Sequence, residues 1–312
     1  MREPAILPID KPLGVRSTRC VELFRRFFGR DVKIGHGGTL DSSASGLLVL
    51  LVGGATRLSN LIMQMPKVYL ATFQLGTETT TCDATGEAVA QADYSSLREA
   101  DADEALPAFL GWRMQVPPDV SAVHVGGRRA HALFREGGKP EVSPRPVFVE
   151  RIERTAPLVE GRLTLRIHCG KGTYVRSIAR DIGRKLGCGA HVAALRRERI
   201  GPFAVNDAFA PDADLSNVEA CEAHLLRPSS ISAFLPAYAL TDEQGAHMGN
   251  GRKIPFNGMK RFSFGQRCPD DRALFSADTL CSVAQLRFDH NPVLLEPETN
   301  IFLVSPPGGQ SR

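Results

Sequence analysis

The sequence GHGGTLDSSASGLLVLLV, at positions 35–52, joins a glycine-rich loop to an unbroken aliphatic run. Three glycines around His36 allow the backbone to approach a ligand closely, and Asp41 follows them. The run 47–52 is six residues long, so it is a strand buried on both faces or a short core helix, and its brevity favours the strand. The stretch therefore predicts a loop suited to a ligand, then a core strand.

The known glycine and nucleophile motifs do not match this loop. It lacks the order of a Walker A loop and of G-x-G-x-x-G, and the chain contains neither HExxH nor G-x-S-x-G. A lone aspartate such as Asp41 commonly caps a helix or closes a turn, so by itself it is weak evidence. A carboxylate, basic segments and the tyrosines Tyr69 and Tyr174 together suit chemistry on a nucleotide.

Periodic patterns elsewhere predict an α+β fold with a mixed or antiparallel sheet flanked by helices. Apolar residues at helical spacing predict helices over 17–28, 55–65, 100–110 and 174–186. Alternating residues predict strands over 69–75 and 163–169, and short strands over 283–288, 293–295 and 301–304. From about Pro236 the chain is glycine-rich and poor in helix signals. We therefore expect a large domain over residues 1–235 and a small β-rich domain over 236–312.

Composition bounds the class of protein. The chain has 312 residues, which favours about two domains. No apolar run approaches the roughly 20 residues of a membrane helix, and the N-terminal segment lacks the apolar stretch of a secretory signal. The seven cysteines are scattered without a CxxC pair, which argues against a disulfide framework or a metal site and favours the cytoplasm.

Charge is unevenly distributed along the chain. The net charge is +4, but residues 162–199 contain ten Lys or Arg against Asp181 and Glu198, a sum of +8. Residues 16–33 contain six bases against Glu22 and Asp31. Such segregation indicates either a polyanion-binding face or solvated helix faces, and charge alone leaves both open.

Six ordered segments resemble one family. They are AILPIDKPLGVRS (5–17), GHGGTLDSSASGLLVLLVGGATRLS (35–59), KVYLATFQLGTETTTCDATGE (67–87), QVPPDVSAVHVGGRRAHALFREG (115–137), GKGTYVRSIARDIG (170–183) and AHVAALRRERIGPF (190–203). Together they resemble, in sequence and in order, the bacterial tRNA pseudouridine synthase B (TruB) family. One such match would be weak, but six in order over residues 5–203 are specific.

The resemblance implies a fold, a reaction and a set of site residues. It implies a pseudouridine-synthase catalytic domain, a C-terminal domain similar to a PUA domain, and isomerisation of uridine 55 in the tRNA TΨC loop. Asp41 matches the catalytic aspartate, Tyr69 the tyrosine that stacks on the target base, and Arg176 the arginine that pairs with the carboxylate. The expected substrate-binding residues are His36, Lys67, Tyr174, Leu195, Lys11, Lys171, Arg196 and Arg197. The reaction needs no cofactor or metal, and we expect a monomer that binds the TΨC stem-loop without a membrane or an obligate protein partner.

Individual residues also have simpler interpretations. Tyr69 shares a strand face with Ala71, Phe73 and Leu75 and could be plain core, as could Leu195. His36 could merely satisfy a backbone group. The chain also departs from the family pattern at Ser42, Gly37, His124 and His131, where the family usually has Pro, Thr or Ser, Lys and Tyr. These departures bear on loop rigidity and RNA contacts.

Two other functions compete with a stand-alone tRNA enzyme. One is a guide-RNA-dependent pseudouridine synthase, against which the short segment before Ile9 and the lack of basic tails argue. The other is a non-catalytic RNA-binding module, which loss of Asp41, Tyr69 or Arg176 would have favoured. All three residues are present, so the sequence favours the enzyme.

Overall fold

A computed structural model describes residues 3–121, 124–125, 128–129, 142–212, 217–263 and 271–303. Within them, nine strands form one sheet in the path order β1-β3-β12-β4-β11-β10-β7, with β2 paired to β3 and β13 to β12. These strands are β1 (Ala5–Lys11), β2 (Ile34–His36), β3 (Ser45–Val52), β4 (Lys67–Leu75), β7 (Gly111–Gln115), β10 (Arg145–Arg154), β11 (Arg162–Cys169), β12 (Ala190–Ile200) and β13 (Phe203–Ala204). Two small hairpins are β5 (Thr77–Thr79) with β6 (Ala88–Gln91), and β8 (His124–Val125) with β9 (Arg128–Arg129).

The helices pack against this sheet through their apolar stripes. Those described within the first 212 residues are α1 (Ser17–Phe28), α2 (Ser59–Gln64), α3 (Glu99–Ala105) and α4 (Val175–Lys185). Most of α4's predicted stripe is buried in a core cluster with strands β4 and β11, although Leu186 is only half-buried. No helix of the described residues is long and apolar enough to cross a membrane.

Strand β3 is buried on both faces, which confirms the strand prediction for its aliphatic run. Leu47, Val49 and Leu51 face one core cluster, while Leu48, Leu50 and Val52 face another that includes α1. An alternating strand would expose one of these faces, so a continuous aliphatic run is what this central position requires. The strand that follows the glycine-rich loop of Asp41 is thus held by packing on both of its faces.

A second sheet lies in the C-terminal part. Its described strands, in the order β15-β19-β18-β17-β14-β16, are β14 (Ala237–Ala239), β15 (Ile254–Pro255), β16 (Lys260–Ser263), β17 (Arg272–Ala277), β18 (Leu280–Arg287) and β19 (Leu294–Phe302), accompanied by helix α5 (Asp242–Gly249). Leu274, Val283 and Ile301 share an apolar cluster with Leu47 and Leu51 of the first sheet. The C-terminal part is therefore β-rich and packs directly on the larger sheet.

Four predicted elements differ in detail. Residues 53–58 form a 3₁₀ helix before α2 instead of one helix over 55–65, since the Gly53-Gly54 pair weakens α-helix formation. The predicted helix 100–110 ends at Ala105 and continues as a 3₁₀ turn that contains Pro107. The strands predicted at 293–295 and 301–304 are one strand, Leu294–Phe302, in which a bulge beside Pro297 accommodates the missing N–H donor.

Gly46 permits the closest approach between β3 and β12. Its φ is +105°, and an added Cβ would lie 2.4 Å from the carbonyl oxygen of Arg197. We expect Gly46→Ala to lower the free energy of unfolding by at least about 2 kcal/mol, because backbone strain and a main-chain clash both act. Gly187 also has a positive φ but open space around it, so Gly187→Ala should cost only about 1 kcal/mol. Urea unfolding of both variants checks this, and equal losses would contradict a clash at Gly46.

Candidate active site

The loop that carries Asp41 is anchored to the start of α1. Ser17 Oγ donates to the carbonyl oxygen of Leu40 at 2.7 Å and accepts from its N–H at 3.0 Å. The N–H of Gly14 donates to the carbonyl oxygen of Ser42 at 2.8 Å. The residues on both sides of Asp41 are therefore fixed, while the Asp41 side chain remains 44% exposed. This arrangement holds a carboxylate still and leaves it open to a ligand.

Arg176 forms an ion pair with that carboxylate from the first turn of α4. Its Nη2 lies 2.9 Å from Oδ2 of Asp41, and its side chain is only 8% exposed. The guanidinium also donates to the carbonyl oxygens of Thr81 and Val120, at 3.1 and 3.0 Å. A guanidinium that is fixed in this way can orient Asp41, because its planar donors leave little freedom. The structure thus brings together two of the three predicted catalytic residues.

Asp83 is a second carboxylate beside Arg176, and sequence reasoning missed it. Its Oδ2 lies 3.9 Å from Nη1 of Arg176, and it accepts hydrogen bonds from Thr81, Thr85 and Ser43. Burial alone would raise the pKa of Asp83, but hydrogen bonds from Thr85 and Thr81, helped by Arg176, lower it below the usual value. Asp83 therefore stabilises Arg176 from the buried side while Asp41 meets it from the exposed side.

Tyr69 lies in β4 between β11 and β12, on the side of the sheet that faces α4. It is nearly buried, and burial raises the pKa of its hydroxyl, while the positive charge of Arg197 opposes that shift. Leu195 is opposite Ala71 and packs against the same core cluster. The structure places Tyr69 in that core, and its stacking role stays a prediction.

Arg197 lies inside the protein and not on the surface, and its assignment as a substrate-binding residue stays a prediction. It is 2% exposed, and its guanidinium donates to the carbonyl oxygens of Leu47, Thr39 and Gly38 at 2.7, 3.1 and 3.2 Å. A buried charge is tolerated only with such partners. Arg197 therefore supports the loop from the buried side, through the carbonyl oxygens of the residues two and three positions before Asp41.

Lys11 and Lys67 are buried as well, and both side-chain amines are bound to carbonyl oxygens. Burial lowers the pKa of Lys11 to about 8 and that of Lys67 to about 7. The acceptors of Lys11 Nζ are the carbonyl oxygens of Ala44 (2.6 Å), Val15 (2.8 Å) and Pro12 (2.9 Å). The acceptors of Lys67 Nζ are those of Met63 (2.5 Å), Met65 (2.6 Å) and Ile62 (3.4 Å). These bonds support a structural role for both lysines, and their contacts with RNA stay predictions.

The other predicted binding residues lie at or near the surface. Lys171 and Tyr174 line a cleft of about 520 Å³. Both main-chain groups of Tyr174 are held by the amide of Gln115, at 2.8 and 3.1 Å. Arg196 is paired with Asp10 through two hydrogen bonds, of 2.7 and 3.0 Å. Their contacts with a substrate stay predictions.

His36 is half-buried at the end of β2. Its Nδ1 accepts from the N–H of Gly38 at 3.3 Å, and burial, followed by the charge of Arg197, lowers its pKa. The neutral imidazole therefore packs within the loop that leads to Asp41. Its contact with RNA stays a prediction.

The basic segment 162–199 is not one binding face. Half of its ten bases have carboxylate partners: Arg166 with Glu198, Arg176 with Asp41, Arg180 with Asp181, Arg184 with Glu78, and Arg196 with Asp10. Arg197 is buried, so the linear sum of +8 overstates the charge that RNA would meet. By contrast, the six bases of segment 16–33 are all exposed, and of these only Arg19 forms an ion pair with another described residue.

The departures from the family pattern have local explanations. Gly37 is buried against Ile62, and an added Cβ would lie 2.3 Å from its Cγ2, so no larger residue fits this packing. Ser42 lacks the rigidity of proline, but its carbonyl oxygen is bound by Gly14. For His124 the structure describes only the strand position, and His131 lies outside the described residues.

Gln115 and Asp83 are the site residues that sequence reasoning passed over. Both stand within quoted segments, the first at the start of QVPPDV and the second inside TTTCDATGE. A carboxylate among four threonines was a detectable signal, since threonine hydroxyls can satisfy a buried carboxylate. Among the described residues, no group of three or more His, Cys, Asp or Glu is placed to hold a metal ion.

Comparison with known proteins gives the same family over most of the chain. The description "TruB family pseudouridylate synthase (N terminal domain)" matches residues 25–175, and "tRNA pseudouridylate synthase B C-terminal domain" matches 176–229. The tRNA pseudouridine synthase B of Paracoccus denitrificans is 44% identical over 247 residues, which is 78% of this chain and 82% of that protein. The enzyme of the same name from Dehalococcoides mccartyi is 39% identical over 279 residues, 88% of this chain and 89% of that protein.

The chain belongs to the TruB family of pseudouridylate synthases. A solved structure agrees on the fold: a chain of a Cbf5-Nop10-Gar1 complex has a TM-score of 0.72 at 22% identity, over 96% of this chain and 85% of that chain. The α+β architecture with a β-rich C-terminal part is therefore a TruB-type fold. The two family descriptions meet between residues 175 and 176, next to the arginine that pairs with Asp41.

Lys67→Met distinguishes a structural lysine from an RNA contact. We expect the variant to lower the free energy of unfolding by about 1–3 kcal/mol, because three buried carbonyl oxygens lose their donor. Lys185→Met, at an exposed lysine, is the matched control and should change it by less than about 0.5 kcal/mol. Chemical denaturation measures both. Unchanged stability of Lys67→Met together with weaker tRNA binding would favour the RNA contact instead.

Proposed function

We propose that this protein isomerises uridine 55 in the TΨC loop of tRNA to pseudouridine, with Asp41 as the catalytic carboxylate. The observation that carries the proposal is the 2.9 Å ion pair between exposed Asp41 and buried Arg176 in a chain of the TruB family. Relatives that are 36–44% identical carry the name tRNA pseudouridine synthase B. Their name supports tRNA as the substrate.

The reaction is an isomerisation and balances without a co-substrate. The bond between N1 of uracil and C1′ of the ribose breaks, the base turns, and a bond forms between C5 and C1′. The proton on C5 leaves and N1 gains one, so no electron is transferred to another molecule. A carboxylate can serve by adding to the sugar or the ring or by moving the C5 proton, and every route needs it accessible. Asp41 meets that need, because Arg176 binds one of its oxygens and leaves the other free.

Access to the reacting atoms requires the base to leave the stack. Extrusion costs a few kcal/mol, and an aromatic face can return about 1–3 kcal/mol. In our proposal Tyr69 supplies that face, and Arg197 is near enough for its charge to act on the Tyr69 hydroxyl. The same arginine supports the loop of Asp41, so one cation lies near both residues.

The exposed bases of segment 16–33 support binding of the phosphate backbone. Arg16, Arg25, Arg26, Arg30 and Lys33 are exposed and form no ion pair with another described residue. Ser17 joins the start of this helix to Leu40, next to Asp41. RNA phosphates that bind this surface would therefore lie close to Asp41. Because binding would release counterions from the RNA, the affinity for RNA should fall as the salt concentration rises.

The remaining parts of the proposal concern organisation. We propose that residues 1–235 are the catalytic domain and that 236–312 form a PUA-like RNA-binding domain, which the β-rich second sheet supports. We also propose a monomer that acts without a protein partner, in a reducing cytoplasm that suits its six described thiols. Lys171, Tyr174, Leu195, His36 and Arg196 are proposed substrate contacts.

Asp41→Asn tests the catalytic assignment directly. We expect pseudouridine to fall below detection while tRNA affinity stays within about threefold, because the amide keeps the shape but cannot act as a carboxylate base or nucleophile. Purified protein is mixed with one unmodified tRNA transcript and no guide RNA, and pseudouridine is mapped. Asp93→Asn, at an exposed turn, is the matched control and should keep full activity. Product only after a guide ribonucleoprotein is added would favour the guide-dependent alternative.

Arg176→Lys tests the ion pair. We expect turnover to fall about 100-fold or more with little change in tRNA affinity, because a single ammonium cannot hold Asp41 and the carbonyl oxygens of Thr81 and Val120 together. Arg184→Lys, on the same helix but paired with Glu78, should keep normal turnover. Single-turnover kinetics separates chemistry from binding. Equal turnover of the Arg176 variant and the wild type would refute the orienting role.

A further inference from the structure

The outer edge of the first sheet carries an exposed apolar surface. Strand β7 is the edge strand, and its Trp112 and Met114 side chains are 76% and 61% exposed. In the antiparallel register Trp112 is opposite Phe148 of β10, and Met114 is opposite Pro146. We call these four residues the tryptophan patch.

The tryptophan patch is more than a scatter of apolar side chains. The rings of Trp112 and Phe148 are 5.4 Å apart at 48°, so one aromatic ring supports the other and limits its motion. Single exposed apolar residues are common, but four in cross-strand register form a contiguous surface. An indole that is held this way offers a flat face to a ligand at a low entropy cost.

The patch is continuous with the cleft beside the active site. Pro146 belongs to both, and Arg145, Lys171 and Tyr174 line the cleft next to it. The turn after β11 is attached to the patch, since the N–H of Gly170 donates to the carbonyl oxygen of Phe148 at 2.8 Å. The apolar surface and the two cations therefore form one surface that leads away from Tyr174.

Charge identifies the kind of partner. Arg145 and Lys171 are exposed, and neither forms an ion pair with another described residue. Glu150 follows Phe148 by two residues and lies at the far end, away from the cleft. Aromatic faces next to unpaired cations suit single-stranded nucleic acid, in which bases stack and phosphates contact Lys or Arg.

We propose that the tryptophan patch binds an unpaired base of the substrate RNA outside the target nucleotide, with Trp112 stacked on the base and Arg145 or Lys171 at its phosphate. This proposal rests on the proposed function, because the RNA must enter the adjacent cleft. It assigns a substrate contact to a sheet edge that the reaction at Asp41 does not use. The partner is RNA with unstacked bases and not a regular duplex.

The protein contains one tryptophan, so its fluorescence reports on this surface alone. Full-length protein carrying Asp41→Asn, which binds without turnover, is titrated with an unmodified tRNA transcript and with a fully paired RNA duplex of equal length. We expect tRNA to quench the fluorescence and to protect it from acrylamide, whereas the duplex does neither. Trp112→Ala should raise the Kd for tRNA between about 5-fold and 100-fold, the range of one base–aromatic stack.

Two variants control for loss of folding and of apolar surface. Trp112→Phe keeps an aromatic face and should stay within about threefold of wild-type affinity. Val159→Ala removes an exposed apolar side chain from the turn between β10 and β11 and should not change binding. Normal tRNA affinity of Trp112→Phe together with weak affinity of Trp112→Ala identifies stacking, because a merely structural residue would not depend on an aromatic face.

The outcomes separate this inference from the function on which it rests. If wild type makes pseudouridine but tRNA leaves the fluorescence and the Trp112→Ala affinity unchanged, the patch proposal is wrong and the function stands. If the wild-type protein neither binds nor modifies tRNA, the patch proposal and the proposed function are both wrong. Fluorescence that changes with protein concentration in the absence of RNA would make the patch a contact between copies of this chain and overturn the RNA assignment.

Discussion

The ion pair between Arg176 and Asp41 is the interaction on which the site depends. It joins helix α4 to a loop that is 135 residues earlier in the chain. The guanidinium is buried, so its position is set by Asp83 and by two carbonyl oxygens and not by solvent. A fixed cation beside an exposed carboxylate provides preorganised electrostatics, because little reorganisation is needed when charge develops.

Buried cations also form the scaffold behind the loop. Lys11, Lys67 and Arg197 each donate to carbonyl oxygens at the ends of elements that surround Asp41. Burying such groups costs free energy, and the protein tolerates it where a carbonyl oxygen accepts a hydrogen bond from each donor. The chain therefore uses part of its positive charge internally, while the six bases of segment 16–33 and the cleft residues Arg145 and Lys171 stay exposed. This division explains how a protein of net charge +4 can present a basic surface near its site.

Sequence patterns predicted most of the fold. The alternation in β4 and β11, the aliphatic run of β3 and the stripe of α4 each follow from burial on one face or two, and all four elements are confirmed. The bounds of short or proline-containing elements were predicted less accurately. These elements are α2 with the 3₁₀ helix before it, α3, and strand β19 with its bulge. Local propensity is weak there, and pairing with neighbouring strands decides the outcome.

The sequence by itself determined the family, the fold class and the candidate catalytic residues Asp41, Tyr69 and Arg176. Ordered motifs and hydrophobic periodicity are local properties, so a linear sequence contains them. Only the tertiary structure decided which charges are available. It buried Lys11, Lys67 and Arg197, paired half of the bases of segment 162–199, revealed Asp83 and exposed Trp112 beside the cleft. A linear sequence counts every base equally, whereas burial and pairing depend on contacts between residues that are far apart in the chain.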